Sequence, residues 1–480
     1  RKATRQKKSI NSHLHRAAPW GGLIPRAMNN PRTFDIALGF RKLRGLLNVL
    51  ITLAGAPSML FARLCVVALF LGSSLVHASE WTRFRGPNGT GVNEAAEIPV
   101  EWKEENILFR TKLPGGSGAG SPVIWNDKAF VLSADPETAT RYLVCVDAMK
   151  GGILWQKEYP SQPHHLHPRS SYASCTPAVD EDRAYVAWST PEHTMLKALK
   201  HDGTEVWTKD LGTWQSQHGF GTSPIIYKDL LILHNSQQAN ELKDGDKPGE
   251  SRVMAFNRQT GDLVWKTDLK SVNVCYSVPM IYSPPDGGPD QLVCTSTGNG
   301  IFSIDPMTGK ENWSHNDQLF AMRTVSSPIE AGGLLFGSNG SGAYAKNYIV
   351  AVKPGKEASL AYKLENSSKF KAPYVPCLIA KDDLLFCLYD RGFASCIDAK
   401  SGDILWMERT NAEFSGSPVR TRDCIYCADE AGVVWVFAAS NEYKLLAKNE
   451  LGEASWSTPA IANNRLYVRT IGHLVAVGTK

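Results

Sequence analysis

The feature that most constrains the fold of this chain is a repeat of about 50 residues, which runs through everything after Gly115. Its first landmark is a small residue followed by proline and an apolar alternation, as in Ser121-Pro122-Val123-Ile124, with the polar turn Asn126-Asp127 behind it. The prolines of the successive copies are spaced 55, 47, 55, 49, 48, 42 and 41 residues apart, at Pro122, Pro177, Pro224, Pro279, Pro328, Pro376, Pro418 and Pro459. The chain therefore contains eight copies of one structural unit.

A second landmark alternates with the first and closes each copy. It is an apolar segment ending in an acidic or polar residue, then a tight turn with glycine, then an apolar stretch that ends on tryptophan, as in Val146-Asp147 through Gly151 to Trp155. The tryptophan recurs at Trp207, Trp265, Trp313 and Trp406. The fifth and seventh copies lack it and are predicted to end on Tyr362 and Leu446 instead.

Each copy predicts four short antiparallel strands. The proline starts the innermost strand, where a missing N–H does no harm, and the glycine supplies the positive φ of the last turn. One four-stranded sheet cannot bury both faces, but sheets arranged radially can. The sequence thus predicts an all-β, eight-bladed β-propeller in which the repeated tryptophans dock between blades: Trp155, Trp207, Trp265, Trp313 and Trp406.

Ring closure has its own signature at the two ends of the repeat region. The eighth copy stops at Val475-Ala476-Val477 without a glycine turn or a final strand. The stretch from Asn106 to Gly115 resembles that missing strand, with Phe109 in the tryptophan position. An N-terminal strand is therefore expected to complete the last blade and to remove an open sheet edge.

The N-terminal region predicts export. Residues 59–78 begin with a methionine and one basic residue and continue through an apolar run to Val76-His77-Ala78, the layout of a cleavable signal peptide. Residues 1–58 are interpreted as a basic extension that is not normally translated; the alternative is a long n-region in which Leu46 to Ala56 also enters the membrane. Residues 79–106 form a lead-in, and 107–480 the propeller. The expected location is periplasmic or extracellular, with no membrane span after cleavage.

Charge and cysteine content narrow the function classes. The formal net charge is +5, but 12 of the 52 Lys and Arg residues and only one of the 47 acids precede residue 79. The remaining 40 basic and 46 acidic residues make the exported body acidic, which disfavours nucleic-acid binding. Nine cysteines remain after Cys65 in the signal, too many by one for full pairing. Most lie in strand-like runs, where a small buried hydrophobe is the expected role.

The repeat resembles that of the pyrroloquinoline-quinone (PQQ)-like propeller family, in which the core reads L-x-A-[LF]-D-x-x-T-G-x-x-x-W. The closest copy runs from Ala255 through Thr260-Gly261 to Trp265. The opening Trp81-Thr82-Arg83-Phe84-Arg85-Gly86-Pro87-Asn88-Gly89-Thr90-Gly91 also resembles that of exported bacterial members. These motifs are specific for a fold and say little about chemistry.

The resemblance implies two classes of function. Quinoprotein alcohol and glucose dehydrogenases hold PQQ and Ca²⁺ in the funnel, whereas the outer-membrane assembly factor BamB is a non-catalytic scaffold. This chain lacks the adjacent cysteine pair of some dehydrogenases, the Cys-x-x-Cys-His of a fused haem, and the insertions that wall in PQQ. It also lacks a lipobox cysteine. The favoured reading is a monomeric, non-catalytic scaffold that binds another cell-envelope protein without a cofactor, and the alternative is a PQQ- and calcium-dependent dehydrogenase relative.

Polar and aromatic residues precede the prolines, where each inner strand enters the central funnel. They could bind a peptide, a sugar or a cofactor, and the candidates are Tyr172, His218, Phe220, Tyr276, Arg323, Tyr374, Phe414 and Trp456. His164, His165 and His167 lie in a proline-flanked loop, where three imidazoles rarely converge on a metal. The sequence contains no phosphate-binding glycine loop that opens a helix and no nucleophile elbow. No catalytic or metal-binding residue is assigned.

Overall fold

The computed structural model describes residues 80–316, 320–342 and 346–479, and these belong to one compact unit. Within them the chain forms eight four-stranded antiparallel sheets, arranged as the blades of a propeller. The all-β, eight-bladed prediction is therefore confirmed. The predicted signal peptide, 59–78, and the extension, 1–58, lie outside the described residues. No helix in the described part of the chain is long and apolar enough to cross a membrane.

The strands of the first four blades follow the chain from the channel outwards. Blade 1 comprises β2 Val123–Trp125, β3 Lys128–Ala134, β4 Arg141–Asp147 and β5 Ile153–Tyr159; blade 2 comprises β6 Ala178–Val179, β7 Arg183–Ser189, β8 Thr194–Lys200 and β9 Glu205–Asp210; blade 3 comprises β10 Ile225–Tyr227, β11 Leu230–Asn235, β12 Arg252–Asn257 and β13 Leu263–Asp268; blade 4 comprises β14 Met280–Tyr282, β15 Gln291–Ser296, β16 Gly300–Ile304 and β17 Glu311–His315.

The remaining blades repeat this order until the last one. Blade 5 comprises β18 Ile329–Ala331, β19 Leu334–Asn339, β20 Tyr348–Lys353 and β21 Ser359–Glu365; blade 6 comprises β22 Ile379–Lys381, β23 Leu384–Tyr389, β24 Arg391–Asp398 and β25 Ile404–Glu413; blade 7 comprises β26 Val419–Arg420, β27 Cys424–Ala428, β28 Val433–Ala438 and β29 Leu445–Glu450; blade 8 comprises β30 Ala460–Ala462, β31 Arg465–Arg469, β32 His473–Gly478 and the N-terminal strand β1 Ile107–Lys112. Short 3₁₀ turns at Pro87–Gly89 and Glu104–Asn106 precede β1.

The two middle strands of each blade carry the core. In blade 1, β3 and β4 are almost entirely buried, whereas the outer strand β5 is mostly exposed. Both faces of a middle strand pack against neighbouring blades, so these strands are apolar on both sides rather than alternating. The outer strand has only one sheet neighbour, and its exposed positions are tolerated.

The turn between the third and fourth strands explains the second landmark. In blade 1 the Asp147 carboxylate accepts the backbone N–H groups of Met149 and Lys150, each at 2.8 Å. Gly151 then adopts φ +80°, and its N–H donates to the Asp147 carbonyl at 2.7 Å. Asn257, Asp305 and Asp398 form the same side-chain contacts. An Asx-type turn therefore requires both the acidic or amide residue and the glycine.

The N-terminal strand closes the ring as expected. Phe109 pairs with Ala476 next to a bulge, the register that Trp155 has opposite Cys145 in blade 1. In blade 7 the same register places Ala447, and not Leu446, in the tryptophan position, because Ala447 pairs with Val436 and Leu446 is the extra residue of the bulge. The predicted end of the seventh unit on Leu446 is thus wrong by one residue.

The proline landmark is displaced in blade 6. Its inner strand begins at Ile379, so Leu378 lies where the other blades have proline and Cys377 lies where blade 1 has Ser121. Pro376 stands two residues too early to be the structural equivalent of Pro122. Blade 6 retains its inner strand, paired with β23, without a proline at this position.

Candidate functional site

A belt of hydrogen bonds surrounds the central channel. In seven places a backbone N–H of one blade donates to a side chain of the following blade, over 2.9 to 3.2 Å. The belt residues are Ser121, Thr176, Ser223, Val278, Ser327, Cys377, Ser417 and Thr458. The corresponding bond between blades 3 and 4 is absent among the described residues, because the side chain of Val278 has no hydrogen-bond acceptor. In six blades a hydroxyl residue before proline, and in blade 6 the thiol of Cys377, therefore joins one blade to the next, a role that the sequence pattern alone did not reveal.

The belt surrounds a narrow cavity of about 120 Å³. Above it, one residue per blade forms a second layer of the wall: Ala119, Ser174, Gly221, Tyr276, Val325, Val375, Ser415 and Trp456. Hydroxyl, aliphatic and aromatic groups thus make up this wall, which contains no carboxylate and no imidazole. Small-molecule sites in proteins usually enclose about 300–1,000 Å³, so the channel itself is small for a ligand.

The N-terminal lead-in plugs one end of this channel. Trp81 pairs with Ile124 of blade 1, and the Thr82 carbonyl accepts the N–H of Val179 in blade 2 at 2.8 Å. Phe84 reaches the cavity wall. Further along, the segment exchanges backbone hydrogen bonds with Arg420 of blade 7, through Gly91 and Asn93. The opening Trp81–Gly91 motif therefore covers this end of the channel and contacts blades 1, 2 and 7.

Two arginines fix this plug on the inner strands. Arg83 Nη2 donates to the Pro279 carbonyl of blade 4 at 2.5 Å, and Arg85 Nη2 donates to the Leu378 carbonyl of blade 6 at 2.7 Å. Both side chains are buried, at 6% and 0% exposure. Burial, reinforced by the neighbouring charge of Arg85, lowers the pKa of Arg83 to about 9. Burial also lowers the pKa of Arg85. The protein thus accommodates two cations on backbone carbonyls without a carboxylate partner among the described residues.

Loops narrow the opposite end of the channel. Arg169, in the connection between blades 1 and 2, contacts both Ser415 and Glu430 of blade 7. Blades 2 and 7 are three positions apart on a ring of eight, so this contact has to span the central opening. Arg323, ahead of blade 5, reaches Gln217, ahead of blade 3, at 2.7 Å. We call this end, with its loops 160–171 and 215–220, the mouth.

Four of the eight predicted funnel residues converge at the mouth. Burial, reinforced by the nearby charge of Arg323, lowers the pKa of His218 to about 4. The guanidinium of Arg323 also lies near the hydroxyls of Tyr276 and Tyr374. The imidazole of His167 lies 4.4 Å, centroid to centroid, from that of His218. His167 was predicted to lie in an exposed loop with its neighbours and was not assigned to the funnel.

The other four funnel candidates lie elsewhere. Trp456 lines the cavity on the side of blade 8. The Tyr172 hydroxyl donates to the His164 carbonyl at 2.7 Å, and the Tyr172 ring packs under Arg141. Phe220 and Phe414 are buried at 7% and 0% exposure, packed on Trp214 and Trp435. Their apolar side chains pack into the inter-blade core and do not line the cavity.

Asp390 is a buried carboxylate beside the mouth that sequence reasoning missed. Its two oxygens accept the backbone N–H groups of Tyr374 and Val375, at 2.8 and 2.9 Å. Burial, which outweighs these hydrogen bonds, raises the pKa of Asp390 to about 6. The residue follows β23 in an otherwise apolar stretch, Leu-Leu-Phe-Cys-Leu-Tyr-Asp, which was the available signal.

The tryptophans lie between blades. The indole N–H of Trp155 donates to the His201 carbonyl of the next blade at 2.8 Å, and Trp207, Trp265 and Trp406 repeat this contact with Arg258, Pro306 and Ser440. The Tyr362 hydroxyl does the same to Ala399. Trp313 differs, because its N–H donates to Gln291 of its own blade at 2.8 Å. In blade 5 the turn between β20 and β21 has no glycine in the position that Gly151 occupies in blade 1. A cleft of about 620 Å³ opens beside Trp313.

The described residues do not fit calcium-bound PQQ in the channel. Calcium requires six to eight oxygen ligands, commonly with carboxylates, and the channel wall supplies none of the latter. In the described ranges no group of three or more His, Cys, Asp or Glu residues is placed to hold a metal ion. The nine cysteines within those ranges are free thiols.

Comparison with known families and curated proteins gives a consistent assignment of the repeat. The family model described as outer membrane protein assembly factor BamB matches residues 99–353 and 375–480. A curated relative, the polyvinylalcohol dehydrogenase of a Pseudomonas species, is 22% identical over 456 residues, which cover 84% of this chain and 60% of the relative. The chain spans about half the length of the curated relatives it matches, between 43% and 60%.

Two solved structures show the same fold. BamB from Moraxella catarrhalis superposes with a TM-score of 0.55 at 16% identity, covering 78% of this chain and 99% of the other. The quinohemoprotein alcohol dehydrogenase of Comamonas testosteroni superposes with a TM-score of 0.59 at 12% identity, covering 86% and 82%. One of these proteins is an assembly factor and the other an enzyme, so similarity of fold does not choose between the two functions.

Proposed function

This chain belongs to the family of the outer membrane protein assembly factor BamB, and on that premise we propose that it is a non-catalytic β-propeller scaffold that binds another protein of the cell envelope. The observation that carries the proposal is the state of the channel. Phe84 and the buried arginines plug one end, and the Arg169–Glu430 contact crosses the other. The remaining cavity of about 120 Å³ lacks the carboxylates that a metal-bound quinone would need.

The outer surface supports binding of a protein partner. Leu263 and Val264 on β13 are 53% and 50% exposed, and Ile153 and Leu154 on β5 are 42% and 49% exposed. These pairs lie on outermost strands, where backbone groups on one side have no sheet neighbour within the blade. An exposed strand edge beside apolar side chains is a common template for pairing with an extended segment of another protein.

The scaffold is proposed to work outside the cytoplasm, as a monomer, after removal of residues 59–78. The relatives with known structures and the signal-like N-terminal sequence support this location. Mass spectrometry of the protein from its producing cells tests the cleavage. A mature N-terminus at Ser79 agrees with it, and an intact Met59–Ala78 segment contradicts it.

A titration with PQQ and Ca²⁺ tests the non-catalytic assignment. The chain from Ser79 onwards should show no saturable change in absorbance or melting temperature, and no PQQ-dependent reduction of a dye acceptor with primary alcohols or polyvinyl alcohol. Stoichiometric PQQ binding together with turnover would replace the scaffold by a quinoprotein dehydrogenase, the second class that the repeat family contains.

Site-specific photocrosslinking in the producing cell tests the binding half of the proposal. A crosslinker at Leu263 should give one discrete protein adduct, because this side chain is exposed on an outer strand. The same crosslinker at Ser415, in the channel wall, is the matched control and should give none. The absence of an adduct at both Leu263 and Leu154 would argue against a partner bound to the outermost strands.

A further inference from the structure

Arg323 at the mouth has no carboxylate partner among the described residues and leaves one of its nitrogens without a hydrogen bond. Its Nη2 donates to the Gln217 side-chain oxygen at 2.7 Å, while its Nε is buried without a hydrogen-bond partner. No carboxylate among the described residues forms an ion pair with it. The side chain is partly exposed, and its buried Nε is shielded from water. A guanidinium in such a place usually has a partner.

The carboxylates nearest the mouth are already engaged. Asp390 accepts two backbone N–H groups, from Tyr374 and Val375. Glu430 binds Arg169 and the Ser415 hydroxyl. Neither acid forms an ion pair with Arg323, so the guanidinium has no ionic partner among the described residues of the mouth.

Hydrogen-bond donors surround the same point. The Gln217 oxygen accepts from Arg323, which leaves the Gln217 amide N–H₂ to donate elsewhere. The Tyr276 hydroxyl, by contrast, already donates to the Gly219 carbonyl at 3.1 Å and lies 3.1 Å from the Ser216 hydroxyl; Tyr276 also lines the top of the cavity. The Tyr374 hydroxyl approaches the Arg323 guanidinium. The imidazoles of His167 and His218, which contact each other at a tilt of 57°, complete this side of the mouth.

We propose that the mouth is a binding site for the oxyanion of a small molecule, held by Arg323 with the amide of Gln217 and the hydroxyl of Tyr374. A planar guanidinium matches a carboxylate through two parallel hydrogen bonds, which a tetrahedral phosphate can also use. Carboxylate is the preferred group because the donors around Arg323 are neutral and a single charge needs compensation. This site goes beyond the scaffold function and does not depend on the nature of a protein partner.

Calorimetric titration of the chain from Ser79 onwards with succinate and, separately, with inorganic phosphate tests the site, at constant chloride concentration. Saturable 1:1 binding of succinate is expected, with weaker binding of phosphate. Arg323→Gln should weaken succinate binding at least about tenfold, since a hydrogen bond to a charged group contributes about 1.5–3 kcal/mol. The succinate affinity of Arg323→Lys should lie between those of the unmodified chain and Arg323→Gln, because lysine keeps the charge but cannot form two parallel hydrogen bonds.

Arg409→Gln is the matched control, since it removes the same charge from an exposed position on β25. Its succinate affinity should equal that of the unmodified chain. Melting temperatures of all variants establish that each is folded. The proposal is overturned if neither anion binds, or if Arg323→Gln, while folded, binds as tightly as Arg409→Gln. Tighter binding of phosphate than succinate would assign the site to phosphate esters rather than carboxylates.

Discussion

The backbone N–H of Thr458 donates to the hydroxyl of Ser121 at 3.1 Å, which joins the eighth blade to the first across 337 positions of sequence. This bond completes the belt around the channel. The ring is therefore closed at two places, by this hydrogen bond next to the channel and by the pairing of β1 with β32 at the outer edge. The belt and the docking of side chains between outer strands should contribute separately to stability.

Removing one belt hydroxyl should destabilise the whole ring. In Ser417→Ala the buried N–H of Cys377 loses its acceptor, now at 3.0 Å, and an unsatisfied buried donor costs about 1–3 kcal/mol. Urea unfolding monitored by tryptophan fluorescence measures the loss. Cys377→Ser is the control, because serine still offers an acceptor to Ser327, and it should change stability by less.

Glycine in the outer turn is needed for a contact as well as for its backbone angle. A Cβ atom at Gly309 would lie 2.5 Å from Trp265 Cε3, at φ +73°. Gly452 has φ +77° and nothing within 4 Å of an added Cβ. Gly452→Ala should cost about 1–2 kcal/mol, from the backbone alone. Gly309→Ala should cost clearly more in the same unfolding assay, and equal losses would contradict docking against Trp265.

The plug should depend on the buried guanidinium of Arg85. Arg85→Ala leaves the carbonyls of Leu378 and Pro418 without that donor and opens a cavity, and we expect a loss of about 3 kcal/mol in the free energy of unfolding. Arg422→Ala, at an exposed position of the same blade region, should have little effect. Proteolysis near residue 90 should also accelerate in Arg85→Ala, and an unchanged cleavage rate would show that Arg85 does not anchor the segment.

His218 should make the protein less stable in acid. Burial and the charges of Arg323 and His167 lower the pKa of His218 to about 4. Between pH 6.5 and 4 the unfolded chain therefore binds a proton that the folded chain does not, so the free energy of unfolding falls as the pH falls. His218→Gln should remove a loss of about 2 kcal/mol over this window. Chemical unfolding at pH 7, 5.5 and 4 measures it, and parallel profiles would exclude the effect.

Asp390 should act in the opposite direction over nearly the same window. Because burial raises the pKa of Asp390 to about 6, the folded chain binds its proton first, and the free energy of unfolding rises as the pH falls from 6 towards 4. The expected gain is about 2–3 kcal/mol. Asp390→Asn should lose this gain, so that its stability falls more steeply in acid than that of the unmodified chain.

Much of the architecture was predictable because it is written locally and repeated. Seven of the eight prolines, the Asx-type turns and the tryptophans each encode a short-range geometry, and Phe109 was recognisable by its position in the missing strand. The failures occurred where the local signal slips. Leu446 was predicted to end the seventh unit, but a bulge shifts the register by one residue and puts Ala447 there. Pro376 was predicted to start the inner strand of the sixth unit, but Leu378 occupies that position.

The site was less predictable. Arg323, His218, Tyr276 and Tyr374 were selected from their position before the inner strands, and the structure places them together at the mouth. Phe220 and Phe414 satisfied the same criterion but face the core. Their offset from the proline varies, and a difference of one residue reverses the direction of a side chain in an extended segment.

Turn chemistry and repeated apolar patterning act over a few residues at a time, so they were enough to predict the number of blades, the four strands of each blade and the closing strand β1. The content of the channel became visible in the three-dimensional structure alone. The contacts of Arg85 with Leu378, of Arg169 with Glu430 and of Thr458 with Ser121 join residues more than 250 positions apart. Such contacts depend on which residues face one another across the axis of the ring, and no local pattern encodes that placement.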